Sequence, residues 1–214
     1  MTDKDSTLGL ILDGGLARRM GGADKGLVAL GGKPMLMHVV ERLGPQCGAL
    51  ALSANGDPQR FASLGLAVLA DDPPGFLGPL AGILAGLDAC LARVPRLTHV
   101  ASLPADTPFA PLDFVGRLHA VRRGGGAEIA IAASGVRRHH LAALWPAELA
   151  AELSRALRIE GVRKVESFAG RYRLAVAEWP NEPVDPFFNV NAPGDLEAAE
   201  AMLSRPSSVG GRLV

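Results

Sequence analysis

Residues 8–26 read LGLILDGGLARRMGGADKG, and the change of character halfway along them sets the architecture. Leu8 to Leu12 is a short apolar run that stops at Asp13-Gly14-Gly15, as a buried strand does on entering a tight loop. Residues 13–26 then form a Gly- and Arg-rich loop. Pro34 stands where the first turn of a helix tolerates it, and Met35, Val39, Val40 and Leu43 recur at helical spacing until Gly44 and Pro45 stop the run. This strand, loop and helix unit recurs outward along the chain. Further strands are expected at 49–53, 66–70 and 98–103, with helices at 58–64, 79–92 and from Pro111 to about Val121. After Gly124-Gly125-Gly126, residues 128–133 and 141–145 read as a hairpin joined by a short basic turn. Helices near 146–157 and 161–168, a strand near 172–177, a loop, the segment Phe187–Asn191 and a helix from Pro193 to about Leu203 complete the pattern. Strict alternation in the first half implies a parallel sheet covered on both faces, and the hairpin implies a mixed edge: an α/β fold. A chain of 214 residues without a shift in composition is expected to be a single domain, 1–214, with a mobile tail at 205–214.

In such sheets ligands sit at the carboxyl ends of the strands. The stretch Leu12 to Gly26 packs five glycines, the pair Arg18-Arg19 and Lys25 into fifteen positions. Triphosphates suit this composition: glycines let backbone N–H groups approach an anion, and Arg and Lys supply charge. A flexible, solvated surface loop is the plainer reading. The stretch is not a P-loop, because no Gly precedes Gly32-Lys33 by five positions and Pro34 follows where Ser or Thr is required. Nor is it a dinucleotide fingerprint, since Leu16 stands two positions after Gly14.

The pattern L-x-G-G-x-x-x-R-M-G-G-x-D-K-G resembles the signature of the molybdenum cofactor guanylyltransferases. Gly78-Pro79-Leu80-Ala81-Gly82, Leu103-Pro104-Ala105-Asp106-Thr107-Pro108 and Asn189-Val190-Asn191-Ala192-Pro193 match further family segments in order, so the resemblance spans nearly the whole chain. It implies a Rossmann-like nucleotidyltransferase fold, mostly parallel, with helices on both faces. It also implies transfer of GMP from GTP to the phosphate of molybdopterin, releasing pyrophosphate. By the same resemblance Leu12, Asp13 and Gly14 lie along the nucleotide, Arg19 and Lys25 hold phosphates, and Asn55 and Asp71 contact base and ribose. Gly15 and Gly22 shape the loop, and Gly78 and Gly82 join the binding residues. Asp72 competes with Asp71 for its position. Partners implied are GTP, molybdopterin and, transiently, cofactor-biosynthesis proteins and apo-molybdoenzymes.

Phosphoryl chemistry calls for a divalent cation, and Mg²⁺ is usually held by one or two carboxylates with water and phosphate. Asp106, after a buried strand and between two prolines, is placed for that role, with a turn-forming aspartate as the alternative. Asn189 and Asn191 flank Val190, so in a strand both amides face one way, toward the site; the alternative is a pair of Asx turns before Pro193. In the family these asparagines serve the pterin or metal side. Lys25, Arg19 and Asp106 are thus the expected catalytic groups. Asp13 departs from the small neutral residue usual in the family; it is expected to face the base and favour GTP. Relatives using CTP or another phosphorylated acceptor, or a nucleotide-binding module without turnover, remain the rival readings.

Twenty-two basic residues balance twenty-two acidic ones, so no global field draws the chain to nucleic acid or an anionic membrane. The N-terminal MTDKDST carries acids before a short apolar run, with neither the basic n-region nor the long h-region expected of a leader, and no apolar run reaches the ~18 residues of a spanning helix. A cytoplasmic location is expected, with Cys47 and Cys90 reduced and buried. His139 and His140, adjacent in a strand, face opposite ways and do not chelate together, though Arg138 or His139 aligns with the pterin side of the family. His38, His99 and His119 have no partner nearby in sequence.

Overall fold

The computed structural model of the chain describes residues 2–13, 25–71, 78–93 and 97–204. The described residues form a seven-stranded sheet. In chain order its strands are β1 (Thr7–Leu12), β4 (Ala49–Ser53), β5 (Ala67–Leu69), β6 (His99–Pro104), β7 (Ile129–Ser134), β8 (Arg137–Pro146) and β9 (Leu174–Trp179); β2 (Ala29–Leu30) and β3 (Lys33–Pro34) make a separate two-stranded ribbon. Spatial order is β5-β4-β1-β6-β8-β7-β9. β1 runs parallel to both β4 and β6, β5 parallel to β4, and β9 parallel to β7, while β8 is antiparallel to β6 and β7. The expected α/β architecture is present, but the expected mixed edge is not: the antiparallel strand β8 stands inside the sheet, between β6 and β7, and the edge strands β5 and β9 each run parallel to their neighbours.

Every residue of β1 is buried, as a central parallel strand covered on both faces requires. Alternation along it sends Leu8, Leu10 and Leu12 into the core under α2 (Pro79–Arg93), α4 (Ala150–Arg158) and α5 (Val165–Ala169). Ile11 enters the opposite core, under α1 (Met35–Leu43) and α3 (Phe114–Gly124). Leu80, Ile83 and Leu87 of α2 are fully buried, each worth roughly 1.5–3 kcal/mol. A small third cluster of Leu30, Met35, Val190 and Ala199 pins α6 (Pro193–Leu203) to the β2–β3 ribbon.

Several expected boundaries move. Residues 58–64 form a 3₁₀ rather than an α-helix. The helix expected from Pro111 begins at Phe114, because the Phe114 N–H closes a turn onto the Pro111 carbonyl at 3.3 Å before regular helix starts. The arginines expected in a basic turn belong to β8 itself; Ser134 pairs with Arg137 and leaves Gly135-Val136 as the turn, with Gly135 at φ 54°. The helix expected at 161–168 starts only at Val165. Phe187–Asn191 is irregular rather than a strand, since the Val190 N–H bonds the Asp106 carbonyl at 3.1 Å instead of a strand neighbour. The tail, 205–214, lies outside the described residues. Among the described residues no helix is long and apolar enough to cross a membrane.

Candidate functional site

The parallel strands β1, β4, β5 and β6 end on one edge of the sheet, and a cavity of about 460 Å³ opens there. Strand β1 delivers Leu12 and Asp13 to it. The Asp13 N–H bonds the Ser53 carbonyl at 2.9 Å and the Leu12 carbonyl accepts the Ala105 N–H at 3.0 Å, so the three central strands are tied together where they end. Thr107 stiffens the turn after β6, its hydroxyl donating to the Pro104 carbonyl at 2.8 Å. That turn presents Asp106 to the cavity.

Four polar side chains converge on this point from segments far apart in sequence. The Lys25 ammonium pairs with Asp106 Oδ2 and donates to Asn191 Oδ1 at 2.5 Å. Asn189 Nδ2 donates to Asp106 Oδ1 at 2.7 Å. Lys25 and Asp106 are only 14% and 16% exposed, so this charge-assisted contact is partly shielded from water. Asn191 is held from behind: Asp195, in the first turn of α6, accepts the N–H groups of Asn191 at 2.8 Å and Ala192 at 2.9 Å. Pro193 followed two positions later by Asp195 is an N-terminal helix signal from which the role of Asp195 could have been read.

Leu12, Asp13, Lys25, Asp71, Gly78, Gly82, Asp106, Asn189 and Asn191 all line the cavity. Asn55 reaches it through Asp71: its Nδ2 donates to Asp71 Oδ2 at 2.7 Å, and the Asp71 N–H returns to Asn55 Oδ1 at 3.1 Å. This reciprocal pair joins the segments that follow β4 and β5. Gly14, Gly15, Arg19 and Gly22 lie outside the described residues, as does Asp72. Gly78 has φ 88°, a conformation other residues rarely adopt, and Gly82 sits so close to β4 that a Cβ there would collide with Ser53 Oγ. Ser53 and Leu141 also line the cavity and were not anticipated. A small polar residue ending a buried strand was the available signal for Ser53; Leu141 gave none.

A second cavity of about 160 Å³ adjoins the first, sharing Pro104, Leu141 and Asn189, and is lined by Arg137, Arg138, His139 and His140. Both histidines border it despite their adjacency. His139 is fixed by Ser134, whose Oγ lies 2.7 Å from Nε2, and by the Phe187 ring at 4.7 Å. Burial, reinforced by Arg137 and His140, lowers its pKa against the opposing pull of Asp185. Among the described residues no cluster of three His, Cys, Asp or Glu side chains could enclose a metal.

Residues 9–178 match the family described as MobA-like NTP transferase domain. A molybdenum cofactor guanylyltransferase of Rhodopseudomonas palustris (strain BisB5) is 51% identical over 207 residues, covering 97% of this chain and 99% of that protein. One from Bradyrhizobium sp. (strain ORS 278) is 50% identical, covering 94% and 96%. Among solved structures, molybdopterin-guanine dinucleotide biosynthesis protein A from Archaeoglobus fulgidus superposes with a TM-score of 0.72 at 26% identity, covering 92% of this chain and 98% of that one. With the family match over residues 9–178 and identity near one half over almost the full length, the chain belongs to the MobA-like NTP transferases and, among them, to the molybdenum cofactor guanylyltransferases.

Proposed function

We propose that this chain transfers the GMP moiety of GTP to the terminal phosphate of molybdopterin, releasing pyrophosphate and forming the guanine dinucleotide cofactor. The observation that carries the reading is the convergence of Lys25, Asp106, Asn189 and Asn191 at the carboxyl edge of the sheet, in a chain about half identical to named guanylyltransferases. Asn55 and Asp71, following β4 and β5, would hold base and ribose. Lys25 and Arg19 would take the phosphates. An oxygen of the acceptor phosphate attacks the α-phosphorus; the bond to the bridging oxygen breaks, and pyrophosphate leaves with the electron pair. The attacking group is already an anion, so the protein needs no strong base and acts by positioning and charge neutralisation.

The donor set suits Mg²⁺. Asp106 Oδ2 and Asn191 Oδ1 both accept from the same ammonium, which brings two hard oxygens to one point and leaves the other ligand positions to water and phosphate. Bound there, Mg²⁺ would offset charge on the triphosphate and the departing pyrophosphate. Asn189, which donates to Asp106 Oδ1, would orient the carboxylate, and Lys25 would exchange Asp106 for phosphate. Transient contacts with cofactor-biosynthesis proteins and apo-molybdoenzymes would pass the product on.

Thermal unfolding with GTP, CTP, ATP and UTP, each with and without Mg²⁺, tests the reading, followed by pyrophosphate release with molybdopterin. GTP at a hundred times its Kd should stabilise the fold by about 2.7 kcal/mol. A GTP-selective shift with acceptor-dependent pyrophosphate release is expected. A CTP-selective shift, or GTP binding without release in the presence of genuine acceptor, would overturn the assignment.

A further inference from the structure

Asp13 is a carboxylate, only 8% exposed, set in the wall of a cavity meant for a polyanion. Where its side chain points is shown by Gly26. A methyl group built on Gly26 would lie 2.9 Å from Asp13 Oδ2, 3.2 Å from Asp13 Cγ and 3.3 Å from Leu36 Cβ. The carboxylate thus fills the space directly against the 3₁₀ turn Lys25–Leu27. Its own backbone is bonded to Ser53 of β4, and the preceding Leu12 is bonded to Ala105, next to Asp106. One short segment therefore touches both supports of the ion pair: the turn that carries Lys25 and the turn that carries Asp106.

We propose that Asp13 is a positioning residue for guanylyl transfer, packing against Gly26 to set the height of the Lys25 turn relative to Asp106. The inference rests on the transfer reading above. Lys25 must lie where charge develops, and a displacement of about 1 Å in such a group can cost up to about a hundredfold in rate. Gly26 and Asp13 form a matched pair: the missing Cβ of one makes room for the carboxylate of the other. A base-reading carboxylate and a positioning one predict different kinetics. The first acts on the KM for GTP and on the choice of base; the second acts on kcat.

The test measures kcat and KM for GTP, with molybdopterin as acceptor, in Asp13→Ala, Asp13→Asn, Gly26→Ala and the double variant Asp13→Ala/Gly26→Ala. Asp13→Ala should lower kcat about tenfold with KM for GTP within about twofold, because the interaction lost belongs to the transition state. Asp13→Asn, equal in size and shape, should restore most of kcat. Gly26→Ala should lower kcat in the wild-type background and cost much less once Asp13 is alanine, since contacting residues couple. An Asp13→Ala or Gly26→Ala protein with unchanged kcat, additive effects, or a raised KM for GTP with kcat retained would overturn the proposal. Should Asp13→Ala fail to fold, Gly26→Ala alone still decides: unchanged kcat overturns the proposal. An inactive wild type would instead sink the transfer reading itself.

Discussion

The two ends of the same strands carry two charged clusters of opposite character. At the carboxyl edge, Lys25 and Asp106 border an open cavity and share amides from Asn189 and Asn191. At the amino edge, β1 and β6 begin beside His119, which is 2% exposed; its Nε2 lies 2.8 Å from Thr7 Oγ1, and its ring meets His99 edge-on at 4.8 Å. Asp3 stands 3.7 Å from His119 Nδ1 and takes a fork of two hydrogen bonds from Arg123 at 2.6 and 3.0 Å. Ion pairs and polar side chains are thus present at both edges. At the carboxyl edge they border the cavity of about 460 Å³, where β1, β4 and β6 end side by side. Clustered titratable groups can thus serve two ends: at the carboxyl edge they line an opening, and at the amino edge the same chemistry fastens the N-terminal segment to α3.

Three experiments press on this contrast. Asp106→Ala should lower pyrophosphate release by about a hundredfold or more while hardly moving the thermal midpoint, since electrostatic groups at the reacting centre carry effects of that size. A comparable loss of stability instead would put the carboxyl-edge cluster in the same class as the amino-edge one. His119→Ala should do the reverse, costing about 1–3 kcal/mol in denaturant unfolding through a broken buried hydrogen bond and leaving kcat unaltered. The third effect is on pH. Burial, aided by Arg122 and His119, holds His99 down at about 4 against an ordinary value of 6.5. Between those values the unfolded chain binds the extra proton, so stability is complete above about pH 6.5 and declines as pH falls toward 4. The thermal midpoint should follow that slope, and His99→Gln should flatten it; an unchanged slope would mean that other groups govern it.

Much of the carboxyl edge was legible in the sequence because parallel strands print as apolar runs ending in Gly, Pro or Asp, and the loops that follow hold the polar residues. Lys25 and Asp106 were singled out that way, whereas Asp71 came from the family resemblance. Asn189 and Asn191 were also found, but for a reason the structure replaces: they converge because Val190 is bonded to the Asp106 turn and Asp195 anchors Asn191, not because they alternate along a strand. The amino-edge cluster was hidden, since Thr7 and His119 stand 112 positions apart and no periodicity links them. The β2–β3 ribbon, with two residues in each strand, is too short to leave a pattern. The Gly26 contact depends on side-chain direction, which spacing does not encode.

The two cysteines lie on opposite faces of the sheet, Cys47 in the core under α1 and α3, Cys90 in the core under α2. Burial pushes their thiols up to about 12 and about 11. Since the thiolate is the reactive form, neither can be alkylated at neutral pH until its own side of the sheet opens. The chain therefore carries a built-in pair of clocks. Equal labelling rates for the two thiols mean that both layers come apart in one event, and unequal rates tell which layer breathes first.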